Sequence, residues 1–134
     1  DGELPGTLPM VAGTGEAPCD VLPFDGQLWV TSWGDNRIER FKLKEFGASF
    51  KAEREIVIQG DDQFRPVDFA LAPDGSLYFT DWVDKSYPVH GKGRIWRLSW
   101  KPGQAPSRST WPALNNAEKN AEVARQTGQS GRIT

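Results

Sequence analysis

His90 is the single histidine of the 134-residue chain, and it lies in a segment dense with reactive groups. Val83-Asp84-Lys85-Ser86-Tyr87-Pro88-Val89-His90-Gly91-Lys92-Gly93 is flanked by Asp81 and Arg94. A second polar segment, Gly60-Asp61-Asp62-Gln63-Phe64-Arg65, lies upstream. Histidine is the side chain best suited to moving a proton near neutral pH, so His90 is the candidate catalytic base. Arg65, Tyr87, Lys92 and Arg94 are the candidate contacts for an anionic cofactor or a polyol. Asp61, Asp62, Asp81 and Asp84 are the candidate Ca²⁺ ligands, since that ion takes hard oxygens. Each group also has a plainer reading. Asp61-Asp62 suits a solvated turn, Asp84-Lys85 a surface pair, and His90 a bond within its own loop. Carboxylates without a fixed ligand spacing argue only weakly for a metal.

The elements that must position these groups are written twice in the chain. Pro18-Cys19-Asp20-Val21-Leu22-Pro23-Phe24-Asp25-Gly26-Gln27-Leu28-Trp29-Val30-Thr31-Ser32-Trp33 returns from Pro66 to Trp82. The offset is 48 at Pro18 and Pro66 and 49 after the Asp-Gly pair, so one residue is inserted before the turn. Arg37-Ile38-Glu39-Arg40-Phe41 likewise returns as Arg94-Ile95-Trp96-Arg97-Leu98. Short strands repeating at about 50 residues are the signature of β-propeller blades. The reading is all-β: about two four-stranded antiparallel blades, then a short helical tail. Residues 1–17 form an irregular lead-in, 18–60 one blade and 61–101 a second blade lacking its outer strand. Residues 102–134 form a linker and tail, with helix propensity over 112–126. Propellers close with roughly four to eight blades, so two cannot complete a ring.

The repeat separates scaffold from candidate site. Asp20 and Asp68 recur opposite Thr31 and Thr80, which predicts a structural cross-strand hydrogen bond. Asp25-Gly26 and Asp74-Gly75 are turn chemistry. Between the second and third strands, the second blade carries eight more residues than the first, and those residues surround His90. Strand alternation brings that loop to the same end of the blade as Gly60–Arg65. A lengthened loop at a sheet end is where function is usually mounted.

Composition narrows the partners. With 16 basic and 18 acidic residues, nothing argues for nucleic acid. No apolar run reaches the roughly 18 residues that a membrane span needs, and the Asp-Gly-Glu-Leu-Pro start has no signal-peptide pattern. Cys19 is the only cysteine, which excludes an internal disulfide or a Cys-x-x-Cys haem site; it is expected to be half-buried in a strand. Trp29, Trp33, Trp82 and Trp96 fall in the repeated strands and read as packing between sheets before ligand stacking.

Phe64–Trp82, followed by His90-Gly91-Lys92-Gly93-Arg94-Ile95-Trp96-Arg97, resembles the propeller of membrane-bound dehydrogenases of planctomycete-type bacteria. These are similar to the glucose/sorbosone dehydrogenase superfamily. Phe24–Arg40 resembles the preceding blade, and the likeness covers residues 6–101. It implies a fragment or subunit of a quinoprotein-like sugar or alcohol dehydrogenase using pyrroloquinoline quinone and Ca²⁺, with His90 the base to test. It implies an extracytoplasmic location, periplasmic or in the cell envelope. Haem c would belong to a C-terminal region beyond this chain. Expected partners are a small polyol or sugar and further blades, or copies of the chain itself. Two other functions stay open: a non-catalytic propeller binding a glycan or a protein, with Trp33, Trp82 and Tyr87 as its platform, and a Ca²⁺-dependent gluconolactonase-like hydrolase.

Overall fold

Turn chemistry sets where the strands end. Asp25 and Gly26 both take positive φ, 53° and 65°, as a two-residue hairpin matched to strand twist requires. They join β1 (Pro18–Phe24) to β2 (Gln27–Ser32). Asn36, at φ 57°, turns the chain into β3 (Arg37–Phe46), and Gly47 turns it into β4 (Ser49–Gln59). The second set is β5 (Pro66–Leu71), β6 (Leu77–Asp81) and β7 (Arg94–Leu98).

The computed structural model describes residues 9–104. Two antiparallel sheets, ordered β1-β2-β3-β4 and β5-β6-β7, form two β-propeller blades. Among the described residues there is no helix, hence none long and apolar enough to cross a membrane. Blade two has three strands there, and Lys101–Gln104 is a turn closed by Gln104 N–H on the Lys101 carbonyl at 2.9 Å. The helix expected over 112–126 lies outside the described residues.

The repeat extends below the level of strands. Each first strand has its register shift just after the initial proline, between Pro18 and Asp20 and between Pro66 and Phe69. Trp33 N–H bonds the Ala17 carbonyl at 3.1 Å, as Trp82 N–H bonds that of Arg65 at 2.8 Å. Residues 9–17 of the lead-in are irregular but tied down, and they repeat the loop that enters blade two. Cys19, at the first bulge, is exposed rather than half-buried, because it shares the outward-facing positions of β1 with Val21 and Pro23.

Asp20 does oppose Thr31. The two residues nonetheless join blades rather than bonding side chain to side chain. Asp20 N–H donates to Thr31 Oγ1 at 2.9 Å, and the Thr31 hydroxyl donates to the Val67 carbonyl at 2.9 Å. The Asp20 carboxylate accepts Phe69 N–H at 3.0 Å. Between the blades Phe24, Trp29, Ile38, Phe64, Phe69, Leu77 and Phe79 form one buried cluster. Its aromatic pairs meet edge-on, as Phe64 and Phe79 do at 5.9 Å, the arrangement ring quadrupoles favour. This core holds the loop ends described next.

Candidate functional site

A buried carboxylate anchors the same end of each blade. In blade two it is Asp81, on β6. Its Oδ1 accepts Arg65 N–H at 2.7 Å and Val83 N–H at 2.9 Å, which ties the two candidate loops to one point. Its Oδ2 accepts Arg94 Nη2 at 2.8 Å and Trp96 Nε1 at 2.9 Å. Burial pushes the Asp81 carboxyl up, but these hydrogen bonds outweigh it and hold the group below its ordinary 3.8. In blade one the carboxylate comes from β3 instead. Glu39 accepts Gly15 N–H at 2.9 Å, Ser32 Oγ at 3.1 Å and Arg37 Nε at 2.9 Å. Arg37 and Arg94 are repeat partners, as are Ser32 and Asp81, and Glu39 and Trp96. The arginine stays fixed while its carboxylate changes strand.

On this base the loops 60–65 and 82–93 enclose a polar cleft of about 680 Å³, lined by Asp62, Gln63, Arg65, Val83, Asp84, Lys85 and Lys92. Three cations face two carboxylates, so the wall carries net positive charge. Arg65 is buried. Its Nη1 donates to the Trp33 carbonyl at 2.9 Å, and its guanidinium lies 4.7 Å from the Trp33 ring centroid. Its Nε is buried with no hydrogen-bond partner among the described residues. Asp84 accepts Lys92 Nζ at 2.8 Å and Ser86 N–H at 3.1 Å. The Lys92 bond, then that of Ser86, holds its carboxyl down at about 2. Phe64 secures the loop floor, its carbonyl accepting Asn36 Nδ2 at 2.8 Å.

The structure therefore brings Asp62, Arg65, Asp84 and Lys92 to one cleft, with Lys85 beside them. The other candidates stand apart. Asp61 caps its own turn, accepting Gln63 N–H at 2.9 Å. Asp81 lies beneath the loops, its carboxylate taken up by the donors above. Arg94 is spent on Asp81 and on the Gln63 carbonyl. Tyr87 is exposed and stacks on Trp33 at 6.4 Å. His90 accepts Lys92 N–H on Nδ1 at 3.0 Å and sets its ring edge-on to Trp82 at 5.3 Å. That bond places the neutral ring's proton on Nε2, which is buried without a partner among the described residues. Sequence reasoning did not anticipate Trp33 as the seat for Arg65, nor Glu39 as an anchor. The one available signal was a glutamate in blade one where blade two has Trp96.

These donors fit an anion better than a calcium ion. Among the described residues no three Asp, Glu, His or Cys side chains converge on one point. Of the two cleft carboxylates, one is already bound to Lys92, whereas Ca²⁺ takes six to eight oxygens. Among the described residues the side chains alone do not converge as a Ca²⁺ ligand set. The net positive lining, with Lys85 in no ion pair among the described residues, does suit a carboxylate of the kind that pyrroloquinoline quinone carries.

Comparison with known proteins agrees at the level of fold. The sequence profile of a family described as "Domain of unknown function (DUF7133)" matches residues 23–86. A crystal structure from Thermus thermophilus, described as a "putative oxidoreductase (glucose dehydrogenase)", superposes with a TM-score of 0.50 at 24% identity. The match covers 61% of this chain and 25% of that one, so the chain spans about a quarter of that protein. No curated protein matches the chain.

Proposed function

We propose that the chain contributes two blades to a quinoprotein-like sugar or alcohol dehydrogenase propeller, working outside the cytoplasm. In this reading the cleft between residues 60–65 and 82–93 is part of the wall that holds an anionic cofactor. The carrying observation is the cleft's net positive lining, in which Lys85 has no ion-pair partner among the described residues. The fold shared with the glucose dehydrogenase-like structure supports it. A bound quinone would supply the hydride acceptor. Lys85 neutralises one of its carboxylates while Lys92 stays paired with Asp84, and Trp33 fixes the Arg65 guanidinium so that the cleft wall needs no reordering on binding. Any Ca²⁺ draws its remaining oxygens from other blades. His90 acts as base only after Lys92 N–H leaves Nδ1, because a proton taken at a ring that already carries one on Nε2 must sit there.

The test is dye-linked oxidation of sugars and polyols by the complete propeller, with and without added pyrroloquinoline quinone. Quinone-dependent turnover is expected, with Lys85→Glu raising the quinone Kd by about tenfold or more. No quinone binding overturns the reading. His90→Ala with unchanged turnover removes the base role alone. A second reading draws on Tyr87, exposed and stacked on Trp33, a surface suited to a sugar ring. It predicts glycan binding without dye reduction.

A further inference from the structure

Blade one meets blade two through one face, and the repeat places the same face on blade two, where it lies open. Leu22, Trp29, Thr31 and Ile38 of the first joint correspond to Ala70, Tyr78, Thr80 and Ile95. Ile38 is 0% exposed, and Ile95 is 74% exposed. Asp68, the counterpart of Asp20, is exposed as well. The other side of the joint is duplicated too. Phe69, Leu77, Phe79 and Leu98 carry it on blade two. Their blade-one counterparts Val21, Leu28, Val30 and Phe41 line an apolar groove of about 460 Å³, bordered by Val11 of the lead-in. Val30 and Phe41 are buried there and Val21 is 56% exposed; valines stand where blade two has phenylalanines, which leaves the groove unfilled. The molecule thus carries both halves of its own interblade joint, one at each end.

We propose that these halves bind one another between two copies of the chain, head to tail. The β1 side of one copy covers the open β5–β7 face of the next. The joint within the chain supplies the bonding scheme, in which Asp20 accepts Phe69 N–H and Thr31 donates to the Val67 carbonyl. Between copies, Asp68 accepts Val21 N–H and Thr80 donates to the Cys19 carbonyl. In the free chain Val21 N–H is held by its own Asp20 at 2.8 Å. Docking exchanges one carboxylate acceptor for another and leaves no donor orphaned. Ile95 enters the apolar groove as Ile38 enters the cluster of Phe69, Leu77 and Phe79. A second copy is the fitting occupant because it presents the bulged Pro-x-Asp strand that this face already receives once. Contacts of this heterologous kind repeat copy on copy and close into a ring where the rotation allows. A net charge of −2 sets little repulsion against it.

Sedimentation equilibrium of the purified chain, from low micromolar to near-millimolar concentration, tests this. The expected result is a mass that rises with concentration. Asp68→Ala with Thr80→Val should weaken the association by about tenfold or more, and Ile95→Glu should abolish it. Alkylation of Cys19 should slow as the assembly forms, and a bulky adduct there should block it. All three substituted side chains are exposed, so the variants should keep the parent's circular dichroism and unfolding midpoint. A monomer at every concentration overturns the proposal. Association that ignores these variants overturns it equally. Neither outcome depends on redox chemistry, so the interface stands or falls apart from the dehydrogenase reading.

Discussion

At the scale of single residues, Asp81 decides whether the two candidate loops keep their positions. It is 2% exposed, and its bonds come from two backbone N–H groups, an arginine and a tryptophan. Asp81→Ala leaves those donors facing an empty site and should cost about 2–4 kcal/mol in urea unfolding. Asp81→Asn should also destabilise, because its amide N–H₂ turns a donor toward groups that are all donors. The pH dependence follows from the direction of the shift. The folded carboxyl lies below its ordinary 3.8, so its contribution is full above that value and is lost as pH falls through the lower folded value. Below about pH 4 the parent should lose stability more steeply than Asp81→Asn, which acid titration of the unfolding midpoint would show. Asp84 serves a different purpose. Held at about 2 by Lys92 and Ser86, it stays charged at pH 4 and keeps Lys92 paired there, which NMR titration of its side chain would reveal.

At the scale of elements, the loop 60–65 depends on one glycine. A Cβ on Gly60 would fall 2.2 Å from the Phe64 Cβ, and neither atom can move freely, since Gly60 N–H bonds the Asn36 carbonyl and Phe64 accepts from Asn36. Gly60→Ala should therefore cost about 1–3 kcal/mol and, by displacing Arg65, weaken anion binding at the cleft. Lys85→Ala should affect binding alone. The strands and the meeting of the two loops were legible in the sequence because Pro-x-Asp, Asp-Gly and Arg-Ile recur at matched spacing. The outer half of the β3–β4 hairpin was not. Lys44-Glu45 on β3 and Glu53-Arg54-Glu55 on β4 put charge on successive positions and hide the alternation, while the pairing of Lys44 with Glu53 and of Arg40 with Glu55 appears only once the strands are side by side. The cleft was half legible. Its acidic and basic residues crowd two loops, but the burial of Arg65 against Trp33 joins residues 32 positions apart that no local pattern connects. The transfer of the buried carboxylate from β3 to β6 was hidden for a related reason, since Glu39 and Asp81 are not repeat partners.

At the scale of the whole molecule, the two blades are unequal in what covers them. In blade one, β2 and β3 have strand partners on both sides, and Trp29, Val30, Thr31, Ser32, Ile38 and Glu39 are all buried. In blade two, β7 pairs only with β6 among the described residues, and four of its five residues are exposed. Local opening free energies track buried contact and pairing, so the chain should not open as one unit. Native-state hydrogen exchange should find the slowest amides at Val30, Ile38 and Glu39. The β7 amides that bond β6 should exchange faster by about one to two orders of magnitude. If the open face of blade two is completed by a second copy, protection of β6 and β7 must rise with protein concentration while that of β2 and β3 stays constant. Equal protection in both blades at low concentration would mean that the exposed face carries no local weakness, and the difference between Ile38 and Ile95 would then have no bearing on how the propeller is held together.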